Sequence, residues 1–204
     1  MVGGGKMPLL SIIVPVYNVE QYLRECLDSL VHQTLQDIEI IVVNDCSPDN
    51  SETIILEYVA RDPRIVYIRH EENKCLGGAR NTGIRAARGK YITFVDSDDY
   101  VDATLYQAVI KAFETHEVNV VCIPFRSFPA KKVYFKEHIG VYRAHVSCLL
   151  KLCYVNVWSK VYRLADLRKY DLLFPEHMFR EDVPFWLELC ACLLYTSPSP
   201  RDTR

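Results

Sequence analysis

The sequence predicts an α/β fold, a mainly parallel sheet with helices on both faces. Three observations carry that prediction. Apolar runs at 9–18, 38–44, 64–70 and 90–95 are largely continuous rather than alternating, as strands covered on both sides must be. Stretches with a helical apolar stripe lie between them. Each run ends in a cluster of turn-forming residues, of which "PVYN", "NDCSPD" and "VDSDD" are the most polar.

Taken in order, "LLSIIVPVYN" (9–18) is a buried strand that stops in a turn. From Glu20 to Gln33, Leu23, Cys26, Leu27, Leu30 and Val31 form one helical stripe. "IEIIVVN" (38–44) is a second strand, and a helix starts at Ser51 with Ile54, Ile55, Tyr58 and Val59 on its buried side. "RIVYIRH" (64–70) is a third strand. A glycine-containing loop within 72–89 runs into a helix expected to stop at Gly89, and "KYITFV" (90–95) is the fourth strand. Asp102 is placed to cap a helix over Ala103–His116.

The second half is less regular. Strands are expected at 118–125 and 131–137, a helix at 140–152, a strand or turn at 155–163, and a helix at 179–191. No flexible linker composition separates the halves, so 7–117 and 118–191 read as two functional parts of one unit. Residues 192–204, containing "CLLYTSPSPRD", break the preceding helical pattern and read as a translated sequencing adapter. On that reading the native chain continues past Ala191, and Met7 is an alternative start.

Composition excludes several classes. With 204 residues, 50% hydrophobic and 25% charged, the chain is globular; its net charge of −2 offers no field for nucleic acid or anionic lipid. No apolar run approaches the roughly 20 residues of a spanning helix. The eight cysteines include no C-x-x-C pair, and most sit in apolar segments, which reads as a reduced, cytoplasmic protein. The six histidines are scattered and read as structural.

"GIRAARGK" has five residues between its glycines and Tyr91 after the lysine, so it is not a phosphate-binding P-loop. "GGARNTG" lacks dinucleotide-binding spacing, and no G-x-S-x-G occurs. The acidic cluster Asp96, Asp98, Asp99 and Asp102 directly follows an apolar strand. Carboxylates at i and i+2 leaving a strand can face one side and supply hard oxygen ligands to Mg²⁺ or Mn²⁺; alone, the same cluster is a solvated turn. In parallel sheets ligands sit beyond the carboxyl ends of the strands, which is where this cluster and the other two polar loops fall.

Together "SIIVPVYNVEQYLRECLDSLVHQT", "IEIIVVNDCSPDNS", "GGARNTGIRAARGKYITFVDSDD" and "FREDVPFW" resemble a family 2 glycosyltransferase of the Rossmann-like GT-A fold, from about Leu9 to Ala191. The resemblance implies an inverting transfer of a sugar from a UDP-sugar donor to an acceptor hydroxyl. It implies Mn²⁺ or Mg²⁺ as cofactor, and a saccharide or lipid-linked acceptor in bacterial surface polysaccharide assembly. The implied location is cytoplasmic, at the inner face of the membrane.

The resemblance also assigns residues. Pro15, Tyr17 and Asn18 match the segment lining the nucleoside pocket. Asp45 matches the aspartate that hydrogen-bonds uracil, although it could equally be a turn cap; the family's usual D-D-G-S reads Asn44-Asp45-Cys46-Ser47 here. Arg80 and Asn81 fall where a helix start meets the donor and are expected to suit a diphosphate, or else to form an exposed helix face. Asp96 is expected to face the nucleoside and Asp98 the metal, with Asp99 assisting. Glu181-Asp182 matches the motif supplying the catalytic base, Asp182, or else an acidic first helical turn. Phe179, Val183, Phe185 and Trp186 are expected to desolvate that base, with Glu181 adding like-charge pressure. Trp158 and Lys160 match a segment near the acceptor, Trp158 serving as core or as sugar platform.

Two rivals carry different chemistry. A haloacid-dehalogenase-type phosphatase also uses D-x-D after a strand, but normally after the first strand and before Thr, whereas Asp98 precedes Asp99 and Tyr100 after the fourth. A non-catalytic nucleotide-sugar binding module would bind UDP without turnover.

Overall fold

The computed structural model describes residues 7–127, 132–134 and 156–196. Four parallel strands, β1 (Leu10–Val16), β2 (Ile38–Asn44), β3 (Ile65–Arg69) and β4 (Tyr91–Phe94), alternate with α1 (Glu20–Val31), α2 (Ser51–Val59) and α3 (Cys75–Ala86). Next come α4 (Leu105–Thr115), β5 (Val120–Cys122), the hairpin strands β6 (Phe125–Ser127) and β7 (Lys132–Tyr134), β8 (Lys160–Arg163), α5 (Leu164–Lys169) and α6 (Asp182–Thr196).

The main sheet has the order β3-β2-β1-β4-β8-β5. The register Val16↔Asn44, Asn44↔Arg69 and Ile13↔Phe94 brings the carboxyl ends of the four parallel strands to one edge. β8 runs antiparallel to both neighbours, pairing Thr93 with Val161 and Val121 with Val161.

Period two along the strands explains why β1 and β2 are apolar at nearly every position. Leu10, Ile12, Val14 and Val16 pack with α1, α2 and α4, while Ile13, Ile41 and Val43 pack with α3, α5 and α6. The result is two apolar layers around one sheet, and every residue of both strands is buried. α3 lies unusually close to β1: a Cβ at Gly83 would stand 2.2 Å from Ile13 Cγ2, so only glycine fits.

The first half follows its sequence pattern to within a few residues; the second departs from it. The strand expected over 118–125 splits into β5 and β6, and 155–163 becomes a turn followed by β8. β7 is the described part of 131–137, and the helix expected at 140–152 lies outside the described residues. α5 was not foreseen, being only six residues long. Asp102 does not cap α4 directly: its Oδ1 accepts from the backbone N–H (2.9 Å) and hydroxyl (2.7 Å) of Thr104, which holds the N-cap position. α6 does not stop at Ala191 but runs to Thr196, with Leu193 buried among the residues below α3. Of the described cysteines, Cys46, Cys75 and Cys122 are exposed, against the expectation that most would be core.

Candidate active site

The edge at the strand carboxyl ends is assembled by backbone turns that L-residues seldom adopt. Asn18, at φ 55°, donates its N–H to Ser47 Oγ at 2.8 Å, tying the β1 loop to the β2 loop. Cys46 holds the left-handed turn, φ 58°, where the family pattern has glycine, so the substitution keeps the loop at the expense of strain. Asp49 binds both flanking helices: Oδ2 accepts from the Glu20 N–H (2.8 Å), Oδ1 from the Ser47 hydroxyl (2.6 Å) and the Ser51 N–H (3.1 Å). Burial pushes the Asp49 carboxyl up, yet these donors outweigh it and hold it at about 2. Tyr17 presents half its surface to solvent at the same edge, whereas Pro15 is buried within β1 opposite Val43.

Asp45 leaves the end of β2 almost wholly buried. Its Oδ1 accepts from His70 Nδ1 at 2.6 Å and from the Lys74 N–H at 2.8 Å, and its carbonyl accepts from Asn73 Nδ2 at 3.1 Å. His70, just past β3, bonds Thr82 Oγ1 through Nε2 at 2.9 Å. The β2, β3 and α3 loops therefore meet at one carboxylate.

Arg80, expected at a diphosphate, is instead buried and committed. Nη2 donates to Asp96 Oδ1 at 2.7 Å, Nη1 to Glu181 Oε1 at 2.5 Å, and its guanidinium lies 5.3 Å from the centre of the Phe174 ring. Asn81 is likewise structural: Oδ1 accepts the Phe174 N–H at 2.7 Å while Nδ2 donates to the Phe174 carbonyl at 2.8 Å. A Cβ at Gly77 would stand 2.4 Å from the Pro175 carbonyl oxygen, so the start of α3 grips the 174–181 segment at three points. Both side chains are buried, and among the described residues only Arg80 Nε is left without a hydrogen-bond partner on them.

Asp96 keeps partial exposure beside Arg80, and Asp98 and Asp99 are exposed on the turn closed by the Asp99 N–H to the Asp96 carbonyl at 2.9 Å. Enclosure of the Asp99 carboxyl, then the charges of Asp96 and Asp98, push it up to about 6. That mutual repulsion is the electrostatic condition a divalent cation relieves. Among the described residues no three His, Cys, Asp or Glu side chains converge into a metal cluster. Two carboxylates on one turn suit an ion that takes one or two such ligands and completes its shell with phosphate oxygens and water, the habit of Mg²⁺.

On the far side, Asp182 opens α6, half-buried in the first turn. The apolar pocket expected around it does not form: Phe179 is 90% exposed, while Phe185 and Trp186 turn into the core beneath. Glu181 is paired with Arg80. Lys160 is fully buried, with Nζ 2.5 Å from the Asn156 carbonyl and 4.5 Å from the centre of the Trp186 ring, so it is a core cation rather than an acceptor contact. Trp158 packs edge-on against Phe125 with ring centres 4.5 Å apart. His70 is the site residue that sequence reading missed; its position at a strand's carboxyl end, between two polar loops, was the available signal.

Fold and edge together define an α/β protein whose ligand site lies where parallel strands end. The model for "Glycosyl transferase family 2" matches residues 11–179, and the chain belongs to that family. It is 42% identical over 190 residues to uncharacterized glycosyltransferase EpsJ of Bacillus subtilis (strain 168), covering 88% of this chain and 55% of that protein. It is 32% identical over 214 residues to uncharacterized glycosyltransferase MJ1057 of Methanocaldococcus jannaschii, covering 94% and 68%. Its fold resembles the 1–349 fragment of S. aureus TarS in complex with UDP-GlcNAc, at a TM-score of 0.79 and 28% identity, over 90% of this chain and 54% of that one. The GT-A architecture is thus the observed one. The chain spans about half the length of EpsJ and of the TarS fragment. Among the described residues no helix is long and apolar enough to cross a membrane.

Proposed function

We propose that this chain carries the donor site of an inverting glycosyltransferase that moves a sugar from a UDP-sugar to an acceptor hydroxyl in polysaccharide biosynthesis. One observation carries the reading. Asp45 at the end of β2 and Asp96 and Asp98 beyond β4 share one edge of the sheet, with the Tyr17 ring exposed beside them. A buried acceptor, a carboxylate pair and an exposed ring suit a uracil N–H, a metal-bound diphosphate and the face of the base. TarS, similar in fold, is known in complex with UDP and with UDP-GlcNAc, which supports a uridine donor here.

In this reading Asp98 is the principal ligand of Mn²⁺ or Mg²⁺, since Asp96 already gives one oxygen to Arg80. The bound ion would supply charge stabilisation to the departing diphosphate. Asp182 accepts the proton of the acceptor hydroxyl, and Tyr17 stacks on the base. The acceptor is a saccharide or a lipid-linked saccharide, placing the protein at the cytoplasmic face of the membrane.

Calorimetric titration of a panel of UDP-sugars, with Mn²⁺ and with chelator, tests the donor. Metal-dependent binding of at least one UDP-sugar, with transfer or hydrolysis, is expected. Binding without any turnover would make the chain a binding module, and release of phosphate from simple phosphomonoesters with no UDP binding would overturn the reading.

A further inference from the structure

We infer that His70 sets the nucleobase selectivity of the donor site by fixing which oxygen of Asp45 meets the base, and in what role. The inference rests on the proposed uridine site and adds to it a residue that touches no ligand. An ionised carboxylate only accepts, so the 2.6 Å contact between Asp45 Oδ1 and His70 Nδ1 requires the hydrogen on Nδ1. On the other side of the ring, Nε2 meets a hydroxyl at 2.9 Å, that of Thr82. Thr82 Oγ1 also lies 3.1 Å from the Gly78 carbonyl, to which it can donate. When the hydroxyl donates to Gly78 it accepts from Nε2, and when it turns it donates to a bare Nε2. Rotation of one hydroxyl thus accommodates either state of Nε2 while the hydrogen on Nδ1 stays facing Asp45.

The backbone makes this arrangement rigid. His70 is buried and its N–H donates to the Asn44 carbonyl at 2.9 Å, so the ring is anchored one residue from the carboxylate it orients. Oδ1 also accepts the Lys74 N–H at 2.8 Å and is thereby filled by two donors. Among the described residues no hydrogen bond reaches Oδ2, and unlike Arg80 Nε it is not wholly sealed, though the residue as a whole is 2% exposed. Oδ2 is therefore the single face of this carboxylate available to a ligand, and it can only accept.

A lone fixed acceptor distinguishes pyrimidines by one atom. Uracil presents a ring N–H at N3, whereas cytosine presents a lone pair there, setting acceptor against acceptor in a buried site. Sites that require a hydrogen bond reject the partner lacking it much more strongly than apolar pockets reject a misfit. Without the His70 hydrogen, Oδ1 keeps only the Lys74 N–H, so the carboxylate can turn about that single bond and accept from the exocyclic amino group of cytosine instead. His70 is thus a positioning residue whose loss should blur the choice of base more than it weakens binding overall.

The test is calorimetric affinity for UDP, CDP and TDP with Mn²⁺, since TDP keeps the N3 hydrogen and CDP lacks it. The wild-type chain should prefer UDP over CDP by about 10- to 100-fold. His70→Leu should bring that ratio to about threefold or less, while His70→Asn, whose Nδ2 overlays Nδ1, should restore most of it. His70→Gln, whose amide reaches the Nε2 position instead, should behave as His70→Leu and serves if the leucine variant does not fold. An unchanged UDP-to-CDP ratio in the leucine or glutamine variant overturns the inference while leaving the donor site standing, as does failure of His70→Asn to rescue. Equal wild-type affinity for UDP and CDP, or none for either, removes the uridine site and this inference with it.

Discussion

Arg80 and Glu181 stand 101 residues apart in the chain and meet at 2.5 Å, Nη1 donating to Oε1, with both side chains buried. The same guanidinium donates to Asp96 at the end of β4, so one cation joins the acidic loop of the first half to the segment leading into α6. A buried pair of this kind is a weak source of net stability, but breaking it strands a charge. Arg80→Met should therefore destabilise the fold by about 3–5 kcal/mol, read as a shift in the urea midpoint at constant slope. Glu181→Gln keeps an acceptor and should cost less, about 1–3 kcal/mol. A loss below about 1 kcal/mol for Arg80→Met would show that the clamp is dispensable.

Asp98 is predicted to act through a cation. Asp98→Asn should weaken UDP binding in Mn²⁺ at least tenfold, by order of magnitude for one charged ligand, and change it little in chelator. Identical wild-type UDP affinity with and without Mn²⁺ would remove the basis for a metal at this turn.

The tight seat of α3 on β1 makes a stability prediction free of any functional assumption. A methyl group at position 83 would stand 2.2 Å from Ile13 Cγ2, too close without movement of the helix or of a fully buried side chain. Gly83→Ala should cost about 1–3 kcal/mol by overpacking, outweighing the helix propensity alanine gains. Combining it with Ile13→Ala, which removes Cγ2, should cost less than the sum of the two single changes; thermal unfolding of the single and double variants decides.

Much of this was legible in the chain itself, and the boundary of legibility has a physical cause. β1 and β2 are buried on both faces by helices, so their composition announces them, and the loops at their ends carry the acidic residues that a carboxyl-edge site needs. β8 was harder because its neighbours come from β4 and β5, far away in sequence and antiparallel, and no local period encodes a pairing partner. Arg80 and Asn81 sat in a donor-like motif, yet their partners, Asp96, Glu181 and Phe174, are supplied by tertiary contact. His70 escaped notice for the same reason: an isolated histidine gains meaning only when β3 and β2 bring it to Asp45.

Asp49 gives the pH prediction. Its carboxyl is held at about 2 in the fold, below the unfolded value of about 3.9, so its contribution is fully present above pH ~4 and disappears as pH falls toward 2. Because the side chain is partly solvated, screening limits that contribution to about 1 kcal/mol. Denaturation between pH 5 and pH ~2 should show Asp49→Asn less stable than wild type at the upper end, the two converging at the lower. Parallel curves would mean that the Ser47, Ser51 and Glu20 donors do not favour the charged form.

The last prediction concerns Asp182. An inverting transfer needs a carboxylate on the acceptor side, distinct from those that face the diphosphate. Asp182 is far in the chain from Asp98 but adjacent to Glu181, which Arg80 ties to Asp96, so Asp182 and the acidic loop after β4 are held in one frame. The expected apolar pocket is absent, and Asp182 stands half-buried in the first turn of α6, within reach of solvent and of an incoming hydroxyl. Phe179, three residues earlier, is 90% exposed, with the Arg180 guanidinium 6.0 Å from its ring centre. Asp182→Asn should lower transfer roughly 10² to 10⁴-fold while leaving UDP affinity in Mn²⁺ within a factor of about two. Phe179→Ala should raise the acceptor KM with kcat little changed, because it removes binding common to ground and transition states. Normal turnover in Asp182→Asn, or loss of UDP binding in its place, would assign this aspartate to the helix start alone and send the search for the base to another residue.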